Sequence, residues 1–123
     1  MRRGATSLLL LVVLLSACVD DARPETCDES AVTIEVRLTE STMTPSDPAV
    51  CRDQEVTLVV NAEVDGFIHI HGYDDAVPVT EVVAGEEERL EFVAGRSGQF
   101  PIEIHPADDP QGIDVGVFTV HEP

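Results

Sequence analysis

Four histidines and three cysteines carry most of the chemistry available to this 123-residue chain. His69 and His71 lie two apart in Gly66-Phe67-Ile68-His69-Ile70-His71-Gly72-Tyr73-Asp74. On an extended strand such residues project from one side, so both imidazoles can converge on a single ion. His105 follows Ile104, at the end of the alternating set Phe100, Ile102 and Ile104. Two or three neutral imidazoles, with Asp74, Asp108 or Asp109 nearby, suit Cu(II) or Zn(II) and need no thiolate. His69, His71 and His105 are therefore the candidate metal ligands. The plainer alternative is that they are solvated strand residues, since strict alternation turns His105 away from the side of Ile104. His121, on the Val117/Thr119 side of the last strand, is read as exposed and left out.

The acidic residues narrow the field of partners. Asp and Glu number 24 against 7 Lys and Arg, for a formal charge of −17, and there is no lysine. Such a chain has no electrostatic attraction to nucleic acid or to an anionic membrane surface. Aromatic residues make up only 4% and tryptophan is absent, so no stacking platform for bases or sugars is expected. Glu86, Glu87 and Glu88 read as a charged, solubilising turn. Asp108, Asp109 and Asp114 lack the spacing of a calcium loop. No G-x-S-x-G, no evident Cys/His nucleophile pair and no phosphate-cradling glycine loop is present. The chain is expected not to be an enzyme.

The cysteines point to an exported protein. Arg2 and Arg3 precede an apolar run from Leu8 to Leu15, well short of the ~20 residues of a membrane-spanning helix. That is the core of a signal peptide. Its end, Leu15-Ser16-Ala17-Cys18, resembles the lipobox of bacterial lipoproteins. The resemblance implies cleavage before Cys18 and lipid on that residue, against the alternative of an ordinary secretory signal with a chance cysteine. The context after Arg3 matches a twin-arginine signal poorly, so the general secretory route is expected. Residues 1–17 would be the removed leader, 18–28 the acylated N-terminus and tether, and 29–123 the folded domain. The expected location is the bacterial cell envelope, on the extracytoplasmic face of a membrane, with that membrane as the partner through the lipid anchor. Cys27 and Cys51 then remain as a pair in an oxidising compartment, where a disulfide is the simplest outcome. Closing that loop would stabilise the fold by about 3.5 kcal/mol in the chain-entropy account. A thiolate metal site or redox pair is the competing reading, but the wide spacing lacks C-x-x-C.

Strands must position these groups. Val32, Ile34, Val36 and Leu38 alternate with Thr33, Glu35 and Arg37, a half-buried strand with one dry side. Ser41 to Pro48 holds two prolines and breaks the ladder. Val56, Leu58 and Val60 alternate again; Asp65-Gly66 signals a turn, and Phe67 to Tyr73 reads as the next strand. Val77 to Val83 is interrupted by Pro78 and reads as an irregular or edge strand. Leu90 with Phe92, then Phe100 with Ile102 and Ile104, then Val115 to Val120 complete the set. No stretch after the leader has a helical period. About seven short strands with frequent turns predict an all-β sandwich.

The order of these features resembles a cupredoxin. The carrying segments are Met43-Thr44-Pro45, then Asp53-Gln54-Glu55-Val56-Thr57-Leu58, the Gly66–Asp74 histidine segment, Gly98-Gln99-Phe100, and Gly116-Val117-Phe118-Thr119-Val120. The resemblance covers about residues 31–121 and is to small modules of exported bacterial proteins with an H-G-Y-D segment and a later E-[IL]-H. It implies a Greek-key β-sandwich, with His69 at the position of the family's first copper ligand. It also places the family's cysteine ligand at Ile104, and neither Met1 nor Met43 stands where an axial methionine belongs. A blue-copper centre needs that thiolate with two imidazoles and a weak axial ligand, so blue-copper electron transfer is not expected. Two functions remain open: a membrane-anchored module holding copper or another divalent ion through histidines, or a metal-free interaction or accessory domain that meets an envelope protein.

Overall fold

The computed structural model describes residues 23–123. The leader, Cys18 and the first part of the tether lie outside the described residues. A short 3-10 turn, Glu25–Asp28, precedes nine strands. These are β1 (Ala31–Leu38), β2 (Met43–Thr44), β3 (Ala49–Cys51), β4 (Glu55–Ala62), β5 (Gly66–Ile70), β6 (Thr80–Val82), β7 (Glu87–Val93), β8 (Gly98–Pro106) and β9 (Ile113–His121). Among the described residues there is no α-helix.

The strands form two sheets, β2-β1-β4-β7 and β3-β9-β8-β5-β6. The chain changes sheet repeatedly, so β1 and β4 pair in parallel although two short strands separate them, as do β3 and β9. This interleaving is a Greek-key β-sandwich: the strand pattern predicts the all-β sandwich, and the cupredoxin resemblance implies its Greek-key order. Alternation explains why the layers stack. Val36, Leu38, Val56, Leu58 and Val60 of one sheet meet Ile68, Ile70, Ile102, Ile104, Phe118 and Val120 of the other, all in a single buried core. Tyr73, Phe92, Phe100 and Phe118 pack edge-to-face at its centre, with centroids 4.5–5.8 Å apart, an arrangement the ring quadrupoles favour.

The disulfide joins Cys27 to Cys51. It fastens the 3-10 turn to β3, and through β3 to the far end of β9, where Cys51 lies opposite His121. Gln54, the one buried polar residue of the described chain, completes this corner. Its Oε1 accepts from the Cys51 amide at 2.7 Å and its Nε2 donates to the carbonyls of Thr26 and Glu29. Its polar atoms are thus satisfied, as burial requires.

One strand is shorter than the sequence suggests. β5 ends at Ile70 and not at Tyr73. Gly72 takes φ +84°, a left-handed conformation that glycine adopts without steric cost. The chain turns there and drops Tyr73 into the core. The Tyr73 hydroxyl donates to the Arg96 carbonyl at 2.5 Å and accepts from the Arg96 amide at 3.1 Å.

Candidate metal centre

β5, β8 and β9 lie side by side, and their alternation sorts chemistry onto two faces. Ile68, Ile70, Ile102 and Ile104 point into the sandwich and are fully buried. The residues between them therefore point outward: His69 and His71 at β5, Glu103 and His105 on β8. His69 lies directly across from Glu103, and Phe67 across from His105. Facing side chains on adjacent strands approach within contact range.

The third strand contributes through an irregularity. The β8–β9 register slips between Ile102 and Glu103: Ile102 faces Gly116, whereas Glu103 faces Asp114, leaving Val115 as the extra residue. This is a β-bulge, a device that re-aims side chains beside functional sites. It sets Asp114, Glu103 and His69 in one row across three strands, with His71 and His105 diagonal to it.

The side chains converge. His69 and His71 rings have centroids 4.3 Å apart, and His69 and His105 rings 6.5 Å. His71 Nε2 hydrogen-bonds Glu103 Oε2, and His105 Nε2 lies 3.4 Å from Glu103 Oε1. On the other flank His69 Nε2 pairs with Asp74 Oδ1, so the Gly72 turn that ends β5 also brings a carboxylate back to the first histidine. Glu103 is the centre of the group, with its side chain only 16% exposed, against 17% for His69, 34% for His105 and 46% for His71.

Electrostatics follow the contacts. The hydrogen bond from His71 holds the Glu103 carboxyl below its ordinary range, and the charges of His71, His105 and His69 reinforce it. The His69 hydrogen bond does the same for Asp74. Both carboxylates are thus ionised acceptors at neutral pH.

Two sets of donor atoms lie close enough to surround an ion: His69, Glu103 and His105, and His71, Glu103 and Asp114. All three expected histidines therefore sit on one outer sheet face, with His71 just past the end of β5, His105 near the end of β8 and Asp114 near the start of β9. Glu103, like Asp114, is a candidate ligand that sequence reasoning missed. Its signal was its place two before His105, on the same face of the same strand. Asp74 joins the group as the partner of His69. Asp108 and Asp109 do not: they lie in the turn after β8, where Asp109 caps the Gln111 amide at 3.0 Å. His105 Nδ1 meets that turn at the Pro110 carbonyl, 3.5 Å away.

A blue-copper centre does not fit these residues. Ile104, at the position of the family's cysteine, is fully buried on the inner face, the side opposite His69 and His105. Cys27 and Cys51 are consumed by the disulfide. Imidazole with carboxylate is instead the donor set of Zn(II) or Cu(II).

No family model matches the sequence, and no curated protein matches it. Several solved structures share the fold. The multicopper oxidase from Campylobacter jejuni, described as a metallo-oxidase, superposes with a TM-score of 0.60 at 15% identity, over 81% of this chain and 28% of that one. Copper nitrite reductase from Nitrosomonas europaea gives 0.58 at 14% identity, over 75% and 42%. Reduced auracyanin from the photosynthetic bacterium Roseiflexus castenholzii gives 0.53 at 16% identity, over 72% and 95%. The chain thus spans less than half the length of the oxidase and reductase chains it matches and nearly all of auracyanin. At these identities the likeness establishes the architecture alone: this is a domain of cupredoxin-like fold, and two of the three neighbours are described as copper enzymes.

Proposed function

We propose that the protein is a lipoprotein module on the extracytoplasmic face of a bacterial membrane, anchored through Cys18, that binds a divalent ion of the copper(II) or zinc(II) class. Its ligands are His69, His105 and Glu103, with His71 beside them. The single observation that carries this reading is the Glu103 carboxylate set among three imidazoles on an outer sheet face. An ionised carboxylate there lowers the charge cost of a bound cation. The group lies on open sheet, with His71 nearly half exposed, which suits acquisition and release of an ion better than turnover of a substrate. Storage, delivery or sensing of the metal is the role proposed; catalysis is not part of it.

The second reading is a metal-free interaction domain for an envelope protein. It is favoured by the pairs His69–Asp74 and His71–Glu103, which already satisfy two of the imidazoles without an ion. Titration of the metal-stripped protein with Zn(II) and Cu(II) separates the two. Wild-type binding at least ten-fold tighter than that of a variant lacking His69, His71 and His105 supports the metal reading. Equal affinity of the two proteins contradicts it.

A further inference from the structure

The two donor groups have one residue in common. His69 and His105 belong to the first, His71 and Asp114 to the second, and Glu103 to both. We infer that the outer face holds two divalent ions, with the Glu103 carboxylate bridging them. This inference rests on the metal-binding reading and adds its stoichiometry and its central ligand.

The two oxygens of Glu103 are already divided between the groups. Oε2 faces His71, and Oε1 lies 3.4 Å from His105 Nε2. Donors bonded at 2.0–2.2 Å to one tetrahedral ion lie about 3.3–3.6 Å apart, so the Oε1–Nε2 separation matches two ligands of a common metal. One ion would then be held by His69, His105 and Oε1, the other by His71, Asp114 and Oε2. Three protein donors with an open position for water is the arrangement of accessible zinc sites. Ions in two-metal sites lie ~3.5–4 Å apart, close enough for the two oxygens of one carboxylate to reach both.

Two backbone features hold this bridge and have no other evident use. The bulge at Ile102/Glu103 sets Asp114 opposite Glu103; an unbroken register would place Val115 there. Gly112 leaves the room for the carboxylate. A Cβ at that position would fall 1.3 Å from Glu103 Oε1 and 2.2 Å from its Cδ, so any other residue displaces the bridging group. Among the described residues the ion pairs of Glu103 are with His71 and His105 and none is with an arginine, and the chain has no lysine.

The test loads the full chain, purified and stripped with chelator, with Zn(II) alone and then with Cu(II) alone. Metal per protein is read by elemental analysis, and the copper form by electron paramagnetic resonance. The expected result is two zinc ions per chain, falling to one in Asp114→Asn and to one or fewer in Glu103→Gln and Gly112→Ala. Coupling across the shared carboxylate should make the copper resonance integrate to clearly less than the copper present. Circular dichroism of each variant verifies its fold, and the wild-type resonance needs no variant at all. One ion per wild-type chain overturns the bridge and leaves the single-ion reading standing; no ion overturns both. Two ions that persist in Glu103→Gln, with full copper resonance, mean independent sites and also overturn it.

Discussion

The two outer faces of the sandwich are both polar and acidic, yet they are built for different ends. On the four-stranded sheet the acids meet arginines. Arg37 donates to Glu63 from Nε at 2.9 Å, and Arg89 donates to Glu87 at 3.3 Å. Those pairs are exposed by 46–67%, and such pairs are worth little. On the five-stranded sheet the acids meet imidazoles, which in the proposed function would ligate a cation in their neutral form and release their carboxylate partner to it. Acid content therefore does not mark the site; the identity of the acids' neighbours does.

The largest expected effect lies away from either face. Replacing both Cys27 and Cys51 by Ala should destabilise the domain by about 3.5 kcal/mol in the chain-entropy account. Chemical denaturation measures it. Zinc affinity of the folded variant should stay within two-fold of wild type, because β3 meets β9 at the end remote from Asp114. A large loss of affinity would tie the site to the corner and blur the contrast between regions.

Next comes the metal face itself. His69→Ala removes a ligand and should weaken zinc binding by about 100-fold or more, whereas Asp74→Asn removes only a ring-orienting partner and should cost about 10- to 100-fold. Competition against a chromogenic chelator gives both values. Equal losses would make Asp74 a ligand in its own right.

Acid should act on the same face. Glu103 and Asp74 have folded-state values below the ordinary carboxylate range. Their contribution to stability is thus complete above that range and is lost as pH falls through the depressed values. Denaturation of the metal-free protein should show this as a drop in stability below about pH 4 that Glu103→Gln reduces. The metal-loaded protein should release its ion at higher pH than this, since imidazoles must be neutral to ligate.

The smallest effect is expected on the other face. Arg37→Ala should leave stability close to that of the wild type, because an exposed ion pair contributes little, and should leave metal affinity unaltered. A shift in affinity would show that the two faces are not independent.

Much of this was legible in the sequence, for reasons that differ by element. Period-two alternation gave β1, β4 and the dry faces of β5 and β8, because burial on one side forces it. The same alternation placed His69 and His71 together. The pairing of Cys27 with Cys51 followed from counting. What alternation does not carry is register. Glu103 opposite His69 depends on which strands pair and at what offset, and Asp114 reaches the row only through a bulge that no local pattern announces. Gly72 was a similar loss: read as strand, it is the turn that brings Asp74 back to His69. Asp108 and Asp109, plausible by proximity in sequence, are held in their own turn.

In the proposed function the ion lies on the outside of the five-stranded sheet. The most direct measurement is a crystal structure of the zinc-loaded protein with anomalous data at the zinc edge. The predicted result is anomalous density within about 2.0–2.2 Å of donor atoms from His69, Glu103 and His105. Density away from these donors, or none in crystals grown with saturating zinc, would contradict it.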